Sequence, residues 1–267
     1  MYIPNNKNNL INIFKEIKQK KLNYFIIGKG TNILVSDEYF DGIVINLKKI
    51  NNYYIKEEEI TLEAGCNFQT LFYLTTKGIG GFEELACIPG SIGGLIYQNA
   101  SFNNIAISDK ILKVEYLDEL GNVKTLDNKD LEFGYRSSIF QNNDYLILSG
   151  TFHYKKDSNI NKLCEYLNHK KMNQPLNTKN AGSVFKNTND LPAWKIIKEV
   201  HADTFKVNDA SVSTKHANFL INNGNASFKD MCQLISKIKK RAKKYNYNLE
   251  LEIEIIGKCL DDIEYFA

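Results

Sequence analysis

Residues 88–100 read Ile88-Pro-Gly-Ser-Ile-Gly-Gly-Leu-Ile-Tyr-Gln-Asn-Ala100. Gly90, Ser91, Gly93 and Gly94 crowd one short run of it. A turn of this kind brings backbone N–H groups close to an anion with no Cβ in the way. It points to a phosphate-bearing cofactor, although by itself it is equally a turn that binds nothing. A second turn of the same character is Gly28-Lys-Gly-Thr-Asn32. Neither shows GxGxxG ahead of a helix with a distal acid, and neither ends in GK[ST]. The dinucleotide-binding Rossmann site and the Walker loop are therefore both unsupported, and a dinucleotide held here sits in another fold.

Outward from these turns the pattern mixes strands and helices without strict alternation, an α+β arrangement. Residues 9–18 carry a helical apolar face. Tyr24–Ile27 reads as a buried strand, and 33–35 and 43–45 as short strands around a turn at 37–42. Residues 60–64 form a further strand. Residues 68–77 read as a helix closed by Gly78. Residues 113–117 and 123–126 flank Asp118-Glu-Leu-Gly-Asn122 as a hairpin, and 145–154 is strand-like. A helix over 163–172 ends at Pro175. Then come a helix at 192–200 with proline in its first turn, a short strand at 217–221, and a long helix opened by Ser227 and Asp230. A half-buried strand at 249–256 closes the pattern.

Composition bounds the function. The chain has 267 residues, 43% hydrophobic and 24% charged, enough for a sizeable core in roughly two domains. A net charge of +3 is too mild to argue for nucleic acid. Lys237, Lys239, Lys240, Arg241, Lys243 and Lys244 crowd the long helix, but no groove-reading motif accompanies them, and a solvated outer face is the favoured reading. Five scattered cysteines without a CxxC, Cys66, Cys87, Cys164, Cys232 and Cys259, read as free thiols of a reducing compartment and give no zinc site. No signal peptide is evident. No apolar run approaches the roughly 18 residues that span a bilayer. A cytoplasmic chain without membrane insertion is expected.

Three further clusters could carry chemistry. In Asn180-Ala-Gly-Ser-Val-Phe-Lys-Asn187, Ser183 lacks the GxSxG setting of a hydrolase. It is either a turn serine or a neutral proton donor, which would need an electrostatically prepared site. Arg136, in Phe133-Gly-Tyr-Arg-Ser-Ser-Ile-Phe140, is either a structural pair or a carboxylate or phosphate clamp. In Leu249-Glu-Leu-Glu-Ile-Glu254, strand periodicity puts Glu250, Glu252 and Glu254 on one face. That is either a wet strand face or a set of repelling carboxylates, one of them raised in pKa to serve as an acid.

In order, these segments resemble the UDP-N-acetylenolpyruvoylglucosamine reductase (MurB) family, over about residues 22 to 257. They are Gly-Lys-Gly-Thr-Asn, Ile-Pro-Gly-Ser-Ile-Gly-Gly with Gln-Asn-Ala, Tyr-Arg-Ser-Ser, Ala-Gly-Ser-Val-Phe-Lys-Asn, Val-Ser-Thr-Lys-His-Ala-Asn-Phe, and Leu-Glu-Leu-Glu-Ile before Gly257. The resemblance implies a two-subdomain FAD-binding fold of the vanillyl-alcohol-oxidase (PCMH) type, with subdomains at 1–50 and 51–160. It also implies a C-terminal α/β substrate-binding domain at 161–267. It implies non-covalent FAD, NADPH as co-substrate, no nucleic-acid partner and a monomer. The reaction implied is reduction of UDP-N-acetylglucosamine enolpyruvate to UDP-N-acetylmuramate for peptidoglycan. Reduced FAD gives hydride to the methylene carbon, and the neighbouring carbon takes a proton.

Residue by residue, the resemblance makes Arg136 the group that polarises the substrate carboxylate, Glu252 its acidic partner and Ser183 the proton donor. Gly28, Gly30, Thr31 and Asn32 match pyrophosphate contacts. Pro89, Gly90, Ser91, Gly93, Gly94 and Asn99 match the flavin side. Lys186 and Asn187 match positions near the substrate. Lys215, His216 and Asn218 line or brace the same cleft, with a structural role for His216 left open. Three departures stand out. Asn173 occupies the place of a lysine near the substrate phosphates, with Lys170 or Lys171 as possible substitutes. Asn208-Asp209 replaces Gly-Gly in a turn. The short stretch 138–174 indicates the compact second type of the family. Covalent flavin attachment, as in oxidases of this fold, would need a residue such as Cys87.

Overall fold

A computed structural model describes residues 1–256; Gly257 and Cys259 lie outside the described residues. The chain divides into two units. The first comprises residues 1–29 and 41–167, the second, among the described residues, 30–40 and 168–256. The segment 30–40, grouped by sequence with residues 1–50, thus belongs to the second unit.

In the first unit, strands Tyr24–Ile27 and Ile43–Asn46 pair in parallel, Phe25 beside Val44. Helix Lys7–Lys20 contributes Leu10, Phe14 and Ile17 to the core. A five-stranded antiparallel sheet follows, in the spatial order Tyr53–Lys56, Glu59–Glu63, Leu146–His153, Ile111–Leu117, Val123–Asp127. Its central strand is buried at seven consecutive positions, which explains its unbroken apolar character. The expected hairpin forms, with Leu117 opposite Val123 and Gly121 at φ +77° in the turn.

The run at 88–100 departs from a simple turn. Residues Ile92–Tyr97 form a short helix, despite the poor helix propensity of its two glycines. Packing overrides propensity here. A Cβ at Gly93 would stand 3.0 Å from the Ala64 Cβ, and a Cβ at Gly150 on the central strand would stand 2.9 Å from Ile96 Cδ1. The helix can approach the sheet this closely only with glycine at both points.

The second unit holds a three-stranded antiparallel sheet, Lys206–Val207, Ala210–Val212 and Leu220–Asn222. Its core gathers Phe185, Ile196, Ile197, Leu234, Ile235 and Ile238. The Asn208-Asp209 departure is accommodated directly. Val207 pairs with Ala210 across a two-residue loop, and Asn208 takes φ +46°, which asparagine tolerates better than most residues.

Two strand expectations change. Ile33–Val35 does not turn back on 43–45; it pairs in parallel with Glu254–Ile256. Residues 249–256 are not one strand. Leu251 bridges Phe185, a bend falls at Ile253, and only Glu254–Ile256 is regular. The even alternation that would align three glutamates on one face is therefore broken.

Helix Phe228–Lys244 begins as expected. The Ser227 hydroxyl accepts from the Asp230 N–H at 3.1 Å while the Asp230 carboxylate accepts from the Ser227 N–H at 2.9 Å. Asp37 adds a carboxylate that accepts from the Phe228 N–H at 2.6 Å, favourable at a helix N-terminus. Ser227→Ala is expected to lower stability by about 1 kcal/mol, read from the urea midpoint at unchanged m-value. Lys237 and Arg241 lie over the Phe205 ring at 5.6 and 5.4 Å.

Candidate active site

In the first unit Gly28, which opens one glycine-rich turn, lies against Ser91 of the other. A Cβ on Gly28 would lie 2.0 Å from Ser91 Oγ, and one on Gly94 would meet only that same oxygen, at 3.7 Å. Ser91 is the N-cap residue of Ile92–Tyr97, yet its hydroxyl caps no N–H of that helix. Gly90 holds φ +152°, a region essentially reserved for glycine, and Pro89 precedes it at the surface. A hydroxyl not used by its own helix, with bare backbone on both sides, fits a ligand rich in phosphate and ring acceptors. Not every donor expected in the run is available, however. The N–H groups of Ile92 and Gly93 are spent on the carbonyls of Cys66 and Ala64, at 2.7 and 2.9 Å. Gly93 thus serves helix packing.

Asn99 is committed within the protein. Buried, with φ +40°, it donates from Nδ2 to the Gly134 carbonyl at 2.9 Å, and its Oδ1 accepts from the Ser108 N–H at 3.1 Å. Gly134 and Ser137 exchange backbone hydrogen bonds at 3.1 and 3.3 Å, closing a tight turn that carries Arg136. Arg136 has φ +55°. For an L-residue other than glycine that costs about 1–2 kcal/mol and persists only where the surroundings over-determine it. Its guanidinium donates to Ser101 Oγ at 2.8 Å and lies 5.3 Å from the Tyr135 ring centre. Ser138 Oγ donates to the Tyr97 carbonyl at 2.8 Å, and Gln141 Nε2 donates both to that carbonyl, at 2.9 Å, and to the Arg136 carbonyl, at 3.0 Å.

In the second unit a backbone ladder gathers the other candidates. Ser183 bridges Phe219, and Phe185 bridges Leu251. The Val184 N–H donates to the Asn218 carbonyl at 2.9 Å, and the Glu252 N–H donates to the Val184 carbonyl at 2.8 Å. Ser183, Asn218 and Glu252 thereby sit on three adjoining strand-like segments. Gly182, at φ +82°, turns the chain into this ladder. A Cβ there would meet only the Thr31 carbonyl oxygen, at 3.6 Å. The Gly30–Asn32 turn, with Gly30 at φ +68°, joins on the other side. Asn32 Nδ2 donates to the Glu252 carbonyl at 2.9 Å, and the Glu254 N–H donates to the Asn32 carbonyl at 3.0 Å. Burial holds the Glu254 carboxyl above its ordinary value, while Glu250 is two-thirds exposed.

The remaining residues mostly brace. The Asn218 side chain accepts from the Phe185 N–H at 2.9 Å and donates back to the Phe185 carbonyl at 2.8 Å. His216 Nδ1 accepts from the Asn218 N–H at 3.3 Å, which assigns the Nε2–H tautomer, and its ring packs edge-on to Phe219 with centroids 4.9 Å apart. Burial, aided by the Lys198 charge, holds its pKa below the ordinary value, so His216 is a neutral donor at pH 7. Asn187 Oδ1 accepts from the Ala193 N–H at 3.0 Å, at the start of helix Ala193–Glu199. Lys186 faces Glu250 at 3.6 Å, and Lys215 Nζ donates to the Lys171 carbonyl at 2.6 Å. Asn173 donates to the His169 carbonyl of its own helix at 2.8 Å. Of its two neighbours, Lys170 is buried and Lys171 exposed.

Sequence reasoning missed the parts of Gln141 and Ser101 around Arg136, because nothing in the local pattern sets them apart. The side chains of Asn32 and Asn99, residues expected beside a ligand, bond to backbone groups.

Known proteins resemble this chain over most of its length. Residues 174–256 match the family model described as UDP-N-acetylenolpyruvoylglucosamine reductase, C-terminal domain, and residues 1–127 match that of an FAD binding domain. The UDP-N-acetylenolpyruvoylglucosamine reductase of Carboxydothermus hydrogenoformans is 39% identical over 252 residues, covering 92% of this chain and 83% of its own. That of Caldanaerobacter subterraneus subsp. tengcongensis is 35% identical over 261 residues, covering 96% and 86%. The crystal structure of UDP-N-acetylenolpyruvylglucosamine reductase from Thermus caldophilus superposes with a TM-score of 0.79 at 27% identity, over 91% of this chain and 90% of that one.

Proposed function

The chain belongs to the UDP-N-acetylenolpyruvoylglucosamine reductase family of FAD-dependent oxidoreductases, and on that premise we propose that it reduces UDP-N-acetylglucosamine enolpyruvate to UDP-N-acetylmuramate with NADPH, in the cytoplasm, for peptidoglycan precursor synthesis. The observation that carries this reading is the ladder of the second unit. It sets Ser183 and Glu252 on adjoining segments through the 2.8 Å bond from the Glu252 N–H to the Val184 carbonyl, the order expected of the family's proton donor and acidic partner. Among the described residues no helix is long and apolar enough to cross a membrane.

When bound, FAD supplies the two-electron transfer from NADPH to the methylene carbon of the enolpyruvyl group. In the first unit, Gly28, Ser91 and Gly94 would hold it. The chain's own residues then manage charge. Reduction at the methylene carbon pushes negative charge onto the carboxylate side of the substrate, as an enolate. Arg136 holds that carboxylate and stabilises the charge more in the transition state than in the ground state. Ser183 gives its hydroxyl proton to the adjacent carbon. A hydroxyl is a weak acid, so this transfer relies on an electrostatically prepared site, and Glu252, as a neutral carboxylic acid, would share with Arg136 the stabilisation of the carboxylate side. Lys186 and the buried Lys170 are the cations proposed for the substrate's diphosphate. Asn218 and His216 keep the Ser183 segment in register.

The purified holoprotein is expected to oxidise NADPH one-for-one with added enolpyruvyl substrate, forming UDP-N-acetylmuramate. Oxygen consumption by the same holoprotein without substrate-dependent NADPH oxidation would place it among oxidases and refute the reading.

A further inference from the structure

Arg136 carries a backbone conformation that its own side chain does nothing to favour. Two side-chain amides hold it. Gln141 Nε2 is shared between the Arg136 carbonyl, at 3.0 Å, and the Tyr97 carbonyl, at 2.9 Å. It thereby ties the arginine's peptide to the last residue of the helix Ile92–Tyr97. Asn99, two residues further on, donates to the Gly134 carbonyl at 2.9 Å, the group whose bond from the Ser137 N–H, at 3.3 Å, closes the turn. Its own orientation is set from behind by the Ser108 N–H, at 3.1 Å. The two amides therefore grip the turn on both sides of residue 136. The gripping atoms come from the C-terminal end of the glycine-rich run, whose helix is seated on the sheet through Gly93 and Gly150.

We propose that Gln141 and Asn99 are positioning residues that act through Arg136, holding it at positive φ so that its guanidinium is aimed before substrate arrives. The physical reason is entropic. A long, flexible arginine in an intrinsically disfavoured backbone region would otherwise spread over several directions. Fixing the turn sets the point and direction from which the side chain leaves, the bond from the guanidinium to Ser101 Oγ narrows its rotamers, and pre-organised electrostatics needs that fixity. The inference rests on the role given to Arg136 on the substrate carboxylate.

The test is a double-mutant cycle on the holoprotein. Gln141→Met keeps the length of the side chain and removes both donors. It is expected to leave the rate of flavin reduction by NADPH unchanged. Reoxidation by the enolpyruvyl substrate should slow about tenfold or more, because a displacement of ~1 Å in a reacting group costs up to about a hundredfold. Calorimetric binding of UDP-N-acetylmuramate should weaken in parallel. In an Arg136→Ala background, Gln141→Met should add nothing to either loss. An equal further loss in that background, or undiminished reoxidation in the single variant, overturns the positioning role. Undiminished reoxidation in Arg136→Ala alone overturns the role of Arg136 itself, so the two failures are distinct. Should Gln141→Met not fold, Gln141→Glu runs the same cycle. It keeps the length and planarity of the side chain and removes the donor to both carbonyls, and its outcomes are read the same way.

Discussion

Ser183→Ala is expected to separate the two half-reactions. Flavin reduction by NADPH should proceed at the parent rate, while reoxidation by the enolpyruvyl substrate slows by about 10²–10⁴-fold, the usual worth of a positioned proton donor. Stopped-flow absorbance of the flavin follows both steps in one instrument. The expectation is strong because little else should change. Ser183 is half-buried, and the ladder around it is made by backbone groups and by the Asn218 amide. Removing one oxygen leaves those bonds intact. Ser183→Cys, which restores a proton, should recover part of the rate. Equal survival of both half-reactions in Ser183→Ala would remove Ser183 from the proton transfer.

Arg136→Ala is expected to lower the same reoxidation step by about 10²–10³-fold, comparable with the loss of one strong donor to a developing oxyanion. Arg136→Lys should recover little, because an ammonium lacks the planar fork that engages a carboxylate through two bonds. The fold should tolerate the alanine variant. Asn99, Ser138 and Gln141 hold backbone carbonyls of the turn and its neighbours, and those acceptors remain. A melting temperature near the parent value, beside the kinetic loss, would show that the charge and not the turn was removed. If reoxidation by substrate were undiminished, the carboxylate would have to be met by another cation.

Some elements were legible because their cause is local. The Ser227–Asp230 capping box sets the start of its helix through bonds no more than three residues apart. The 117–123 hairpin follows from the turn sequence Asp118-Glu-Leu-Gly-Asn122 between two strand-patterned runs. The apolar stripe Met231, Leu234, Ile235, Ile238 and Ala242 is buried as its spacing demands. Other readings failed for the opposite reason. The pairing of Ile33–Val35 with Glu254–Ile256 joins positions more than 200 residues apart, and no pattern inside either segment selects that partner. Within 88–100 the clustered glycines favour a turn over a helix. Only the approach of Ala64 and of the central strand reverses that preference.

The same division runs through the candidate site. The sequence determined which residue types are present, and in what order, for flavin binding, carboxylate recognition and proton donation, since those motifs are short and their chemistry is written in the side chains. Tertiary structure decided what each side chain is spent on. Gly93 serves packing, Asn99 and Gln141 hold the Arg136 turn, Asn32 holds Glu252, and the Ser91 hydroxyl is left beside bare backbone. The physical reason is that a hydrogen bond or a close approach is a property of two groups brought together by the fold, and one strand of text contains only one of them at a time.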